Sequence, residues 1–462
     1  MRRLAPLLLT AVLMTSACAV GPNYVTPTTP TVTAFKAPDG WGAAQPSDGL
    51  ARGDWWTLFG DDTLNSLVAR AETANQTIAA AEAAYRQARA LTRETRAGLF
   101  PTVSLNGAGT QSKTLTSNDN KNYQVGIGAT WEPDFWGRIR RTVEANDASA
   151  QASAADLASA HLSIQGELAA NYLNLREADA ETALLDQTIT GYERALQITR
   201  NRYEAGIAPR TDVLQAETTL ANARSTRIGL ERNRATYENA IAVLVGEPAS
   251  SFNLAPAQWT PIIPDVPVGV PSTLLERRPD IASAERAVAA ANARIGVQQA
   301  AFFPNLSLTG SYGQTTSNLG DLFASSANIW SLGLGLAETL FDAGARGAAV
   351  EQARASYDAS VAAYRQTVLT AFQDVENQLT ATDVLRRQYV ELQAASQAAD
   401  QTETMILNQY RAGTVAYTDV ATAQGTALTA RRALLQGAVN RQTTAVALIQ
   451  SIGGGWRGDV GS

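Results

Sequence analysis

From Tyr123 to Trp131 every second side chain is apolar. Tyr123, Val125, Ile127, Ala129 and Trp131 are interleaved with Gln124, Gly126, Gly128 and Thr130. The same alternation runs through Trp330, Leu332, Leu334 and Leu336, through Val103 and Leu105, and through Leu306, Leu308 and Tyr312. A period of two collects the apolar groups of a strand on one face. These stretches therefore predict strands at about 102–111, 122–132, 305–314 and 328–338, joined as two hairpins. Lengths near ten, small polar groups on the second face and aromatic residues toward the ends fit strands of a transmembrane barrel. A soluble sheet with one wet face has the same periodicity. Four strands cannot close a barrel, because about eight is the smallest number that does, so a membrane reading requires several chains to share one.

The rest of the chain has a different rhythm. No proline lies between Pro133 and Pro209, none follows Pro304, and Ala, Gln, Glu, Arg and Leu dominate both regions, a composition that predicts long helices. They run from about Thr142 to Tyr203 and from Ala345 to Tyr410. Their apolar positions are small and sparse, as in Ala154, Ala155, Leu157, Ala158 and Leu162, the kind of seam that lets helices lie close together. Each long helix meets a glycine, Gly206 or Gly413, and a second helix returns over Thr211 to Val245 or Thr418 to Ile452. The Thr-Asp pair at each restart predicts an N-terminal cap, since either side chain can accept from free backbone N–H groups.

These elements occur twice. Tyr203-Glu204-Ala205-Gly206 followed by Thr211-Asp212-Val213 returns as Tyr410-Arg411-Ala412-Gly413 followed by Thr418-Asp419-Val420, a shift of 207 residues. Phe100-Pro101 with Ser104 and Leu105 returns as Phe303-Pro304 with Ser307 and Leu308 at a shift of 203. A period this long means duplication of a whole structural half.

The N-terminus fixes an expected compartment. Arg2 and Arg3 precede an apolar run from Leu4 to Met14, too short to span a bilayer and flanked as a secretory signal peptide is. Cys18, the only cysteine, follows in Thr15-Ser16-Ala17-Cys18 and resembles the acylated first residue of a bacterial lipoprotein; Ala17-Cys18-Ala19 also fits a plain cleavage site. Ala19 is not the aspartate associated with inner-membrane retention, which favours the outer membrane. A net charge of −6 argues against a nucleic-acid partner. No later run approaches the 18 or so apolar residues of a transmembrane helix, so any crossing falls to strands.

Taken together, the motifs resemble the TolC-like outer-membrane efflux channels, in particular the NodT-type lipoproteins that serve resistance-nodulation-division pumps. They run nearly end to end: Cys18-Ala19-Val20-Gly21-Pro22-Asn23-Tyr24, Trp55-Trp56 with Phe59, Trp131-Glu132 through Phe135-Trp136-Gly137-Arg138, Arg277-Arg278-Pro279-Asp280-Ile281, Ala300-Ala301-Phe302-Phe303-Pro304 and Gly453-Gly454-Gly455-Trp456. The resemblance implies a mainly α protein with a β-barrel part: a homotrimer whose twelve-stranded outer-membrane barrel, four strands per chain, sits on a long periplasmic α-helical barrel. The expected division is a signal peptide over 1–17, a lipid-anchored N-terminal segment and equatorial region over 18–62, two efflux repeats over 63–270 and 271–452, and a tail over 453–462. Family members close the tunnel at its periplasmic tip by coiling the inner helix pairs together, and a periplasmic adaptor opens it. The resemblance places this gate at Arg210, Asp212, Tyr417, Thr418 and Asp419, and adaptor-contact turns at Tyr203, Gly206, Tyr410 and Gly413. Three-fold symmetry would make Asp419 a ring of carboxylates that favours cations. Expected partners are a second and third copy of the chain, an adaptor, an inner-membrane pump and outer-membrane lipid.

Catalysis is not expected. His161 is the only histidine and reads as a helix-packing residue, while Asp61-Asp62 reads as a solvated turn. No cofactor or metal site is expected. A copper exporter would be expected to display methionines, yet only Met405 lies beyond the signal, which favours small amphipathic cargo. A periplasmic coiled-coil adaptor or scaffold is the alternative, but it gives no reason for two hairpins with a lipid-facing side.

Overall fold

The computed structural model describes residues 19–29, 52–113, 120–264, 266 and 278–454. The signal peptide, Cys18 and all but the first two residues of the tail lie outside them. In chain order the elements are α1 (Asp62–Ala74), α2 (Gln76–Ala97), β1 (Thr102–Ser112), β2 (Asn120–Trp131), α3 (Arg138–Glu204) and α4 (Arg210–Leu244). They continue with α5 (Pro279–Ala300), β3 (Asn305–Thr316), β4 (Asn328–Ala337), α6 (Ala345–Ala412) and α7 (Tyr417–Ser451). The residues divide into two compact units.

One unit gathers residues 19–29, 82–156 and 280–367 and contains the sheet. Its four strands are antiparallel in the order β1-β2-β3-β4, so the two hairpins are joined through β2 and β3. At that joint Gly126 faces Gly313, and a Cβ on Gly313 would stand 2.5 Å from the Val125 carbonyl oxygen, so only glycine fits there. Below the sheet, the loops entering α3 and α6 are braced alike. The Asp134 carboxylate accepts from the N–H groups of Ile139 and Arg140 at 2.9 and 2.8 Å, and that of Asp342 from Gly344 and Arg346 at 3.0 and 3.1 Å. A carboxylate on the free N–H groups of a helix start satisfies donors that have no partner within the helix.

The other unit, residues 30–81, 157–279 and 368–462 of the chain, is described from Arg52 onward and is helical. Helices α3 and α6 have 67 and 68 residues in all, about 100 Å each at 1.5 Å per residue. Both end in the same reverse turn. Gly206 and Gly413 have φ of +72° and +81°. The N–H of Ile207 bonds the Arg202 carbonyl at 2.8 Å, and that of Thr414 bonds Gln409 at 3.0 Å, the six-to-one closure of a Schellman motif. Helices α4 and α7 close the same way at Gly246 and Gly453, with Glu247 and Gly454 donating the six-to-one bonds.

The caps at the helix restarts differ from the sequence expectation. Pro209 and Ala416 occupy the N-cap positions, and Asp212 and Asp419 sit at the third helical position. Asp61-Asp62 is also not a solvated turn. Asp61 caps α1 through the N–H groups of Thr63 and Leu64 and accepts from the hydroxyl of buried Tyr172 at 2.6 Å. Tyr172 in turn accepts from Arg176, which reaches Asp179 at 2.9 Å. This network is invisible in sequence because Asp61 lies 111 residues before Tyr172. His161 pairs with Glu72 at 2.6 Å, tying α3 to α1. No helix among the described residues is long and apolar enough to cross a membrane.

Candidate functional site

Near the end of the sheet where β1 begins and β4 ends, large apolar and small polar side chains fall on opposite faces. In register across the four strands stand Leu105, Ile127, Tyr312 and Trp330; the next row is Val103, Ala129, Gly310 and Leu332; Trp131, Leu308 and Leu334 follow. The opposite face carries Ser104, Gly128, Ser311 and Ser331 in one row and Thr102, Thr130, Thr309 and Gly333 in the next. The large apolar residues of the first face, including Leu105, Trp330, Leu332, Leu334 and Leu336, are exposed. So large an exposed apolar surface needs an apolar solvent or a partner. Strands of 10 to 12 residues match the length that crosses a bilayer when tilted.

In the same unit the N-terminal segment is docked hard. Buried Arg141 of α3 donates to the carbonyls of Val20 and Gly21 at 3.2 and 3.1 Å and to the Asn23 side chain at 2.9 Å. Asn292 of α5 donates to the Pro22 carbonyl at 3.0 Å, and the Val20 N–H to that of Trp136 at 3.0 Å. Ala19 lies so close to Gly137, whose φ is +82°, that any side chain there would collide with it. Cys18 is the next residue.

The turns in the helical unit hold the residues at which a gate is expected. Tyr192 and Leu196 of α3, Ala216 and Leu220 of α4, Tyr410 of α6, and Tyr417 and Val420 of α7 form one apolar cluster. Tyr410 and Tyr417 are only 2% and 1% exposed and meet edge to face at 5.5 Å. These two differ from the expectation: their rings lie inside the chain's own core and are spent on packing the two helix pairs together, so Tyr410 offers no side chain to an adaptor. Burial first, then the neighbouring Tyr410 and Asp212, push the Tyr417 hydroxyl up to about 12. Tyr203, Gly206, Gly413, Arg210, Thr418 and Asp419 are exposed, and Asp212 is half-buried.

The two aspartates are not equivalent. Asp419 accepts from the Ala416 N–H at 3.2 Å. Its counterpart Asp212 faces Pro209, which has no N–H to give. Burial raises the Asp212 pKa from its ordinary value, against the opposing pull of Arg202. Sequence reasoning missed Arg202. Its guanidinium lies 4.8 Å from the centre of the Tyr410 ring and donates to the Tyr410 carbonyl at 2.8 Å, bolting the end of α6 to α3. Thr418 reaches Gln215 at 3.5 Å. Within each pair, Arg200 bridges to Glu217 at 2.7 Å, and Arg431 to Asp400 and Glu403 at 2.8 and 2.7 Å.

An open four-stranded sheet with an exposed apolar face and a duplicated pair of helical hairpins are together the elements of an outer-membrane channel component. The family model described as outer membrane efflux protein matches residues 67–247 and 270–454. The chain belongs to the outer membrane efflux protein family and is an outer-membrane efflux channel. It is 31% identical over 455 residues to the outer membrane protein OprJ of Pseudomonas aeruginosa, covering 95% of this chain and 93% of that one. It is 30% identical over 449 residues, with the same coverage, to the toluene efflux pump outer membrane protein TtgC of Pseudomonas putida. The solved structure of the outer-membrane channel OprN superposes with a TM-score of 0.86 at 31% identity, covering 95% of this chain and all of that one.

Proposed function

We propose that three copies of the chain close one barrel of twelve strands in the outer membrane and form the exit duct of a tripartite efflux pump. The carrying observation is the sheet. Its apolar face suits lipid, its small hydroxyl-bearing face suits a water-filled lumen, and β1 and β4 have free outer edges that only further strands can satisfy. Three copies of four strands satisfy all edges at once. The chain needs no chemistry of its own, because an inner-membrane pump of the resistance-nodulation-division class and a periplasmic adaptor supply energy and coupling. The cargo is small and amphipathic, such as drugs or solvents; beyond the signal Met405 is the only methionine, where a copper exporter would be expected to display several.

Cys18 is the lipid attachment residue. The segment after it is fixed beside Trp136 at the foot of the sheet, where an acyl chain would enter the membrane. The resting gate lies at the helix turns: Asp419 forms a ring of three carboxylates, and Asp212, Arg210 and Thr418 line the same constriction. Tyr417 and Arg202 hold the helix pairs that carry it. Tyr203, Gly206 and Gly413 are the turns that an adaptor reaches.

The test is single-channel recording in planar bilayers. Asp419→Ala is expected to raise conductance and weaken cation preference. It also removes a backbone cap worth about 1 kcal/mol, so Asp419→Asn, which can still accept that bond, is recorded alongside. If neither variant changes conductance or ion selectivity while the trimer stays intact, Asp419 is a cap only and the constriction is elsewhere.

A further inference from the structure

The two repeats make one seam with each other inside the chain, and the matching surfaces at the outer edges of the sheet are bare. At the inner seam β2 pairs with β3, and beneath it the Trp136 indole stacks on Phe303 at 4.8 Å and 23° while its N–H donates to the Pro304 carbonyl at 2.8 Å. The loop after the first hairpin thus receives the Phe-Pro corner that opens the second. The loop after the second hairpin shares the ion pair, the bracing aspartate and the glycine, and carries its bulky apolar pair just before Asp342, whereas Trp136 follows Asp134. Arg346 pairs with Glu338 at 3.1 Å as Arg138 pairs with Glu132 at 2.7 Å, and both loops enter their helix through a left-handed glycine, Gly137 at φ +82° and Gly344 at +92°. It presents Leu340 and Phe341, which are 92% and 87% exposed. The Phe-Pro corner of the first hairpin, Phe100-Pro101, is bare too, with Phe100 67% exposed. These two surfaces flank β4 and β1, the strands with free outer edges.

We propose that Leu340 and Phe341 of one protomer pack on Phe100-Pro101 of the next, repeating between chains the contact that Trp136 makes with Phe303-Pro304 within one. The occupant is a second copy of this chain, because the chain itself displays the matching half of the contact and, among the described residues, the outer edges of the strands beside both surfaces lack partners. The proposal rests on the trimeric reading above and adds to it where the subunits meet at the foot of the barrel. Leu340 and Phe341 stand in for the single indole, so this joint is apolar and lacks the indole-to-carbonyl hydrogen bond.

A photo-crosslinking phenylalanine analogue placed at position 341, in whole outer membranes, tests it. The expected product is a covalent dimer whose linked peptide contains Phe100. An adduct to lipid or to a different protein, or a self-adduct elsewhere in the chain, overturns the proposal. Size-exclusion chromatography of the same sample reports separately on whether three chains assemble. As a second measurement, the Phe100→Cys, Phe341→Cys double variant is oxidised beside Trp136→Cys, Phe303→Cys. The first pair is expected to give a ladder of linked dimers and trimers, and the second a link within one chain. A ladder missing from the first pair while the second forms its link rules the contact out.

Discussion

Glu177 shows what a single buried carboxyl does inside a helix pack. It sits on α3 beside Glu181, which Arg432 of α7 engages directly. Burial first and the neighbouring Glu181 second push its pKa up to about 7, with Arg432 pulling the other way, whereas the ordinary value is 4.5. Between those two pH values the folded chain holds a proton that the unfolded chain has released. Stability therefore falls as pH rises across that window, and it is highest, as far as this group is concerned, below it. Glu177→Gln keeps the shape and removes the titration. The melting temperature of the detergent-solubilised protein is expected to drop between about pH 5 and pH 8 in the parent and to drop less in the variant. Equal slopes in the two would mean that Glu177 stays ionised, relieved by Arg432.

At the scale of elements, the β2–β3 joint is the place where the repeats become one sheet, and it depends on two glycines. A methyl on Gly313 would meet the Val125 carbonyl at 2.5 Å and the Gly126 Cα at 2.7 Å, whereas a Cβ on Gly107 in β1 meets nothing within 4 Å. Gly313→Ala is expected to lower the yield of heat-resistant oligomer on unheated gels, and Gly107→Ala to leave it unchanged; equal yields would show that the joint yields to a methyl. The strands and long helices were legible in sequence because each announces itself locally: Val125, Ile127 and Ala129 by a period of two, the helix ends by Gly206 and Gly413, the duplication by the repeated Tyr-x-Ala-Gly turn. The proposed gate was legible only as a neighbourhood. Asp212 and Asp419 occupy matching positions, yet the N–H that Ala416 offers and Pro209 lacks separates their roles. Tyr410 sits in a turn by sequence but in the core by packing. Arg202 and Arg141 carried no signal at all, since their partners, the backbone carbonyls of Tyr410 and of Val20 and Gly21, are set by tertiary contact alone.

For the whole molecule, two independent devices bear on how it is held in the outer membrane, and they can be separated. None of the described helices can cross a bilayer, so membrane insertion falls to the sheet, whose apolar rows satisfy lipid only when every strand edge is paired. The second device is the acyl group proposed for Cys18, tethered by the segment that Arg141 and Asn292 clamp. A lipid on Cys18 tethers only one end of the chain, whereas a closed barrel places twelve strands across the membrane. Cys18→Ser is therefore expected to lose all incorporation of labelled fatty acid yet still fractionate with the outer membrane and elute in detergent at three times the chain mass. The clamp needs neither the thiol nor the lipid, so the docked segment survives in the variant, and assembly is expected to slow rather than fail. A variant that appears in the periplasm as a soluble single chain would mean that lipid, not the shared barrel, holds the protein in place, and with it the trimeric duct would fall.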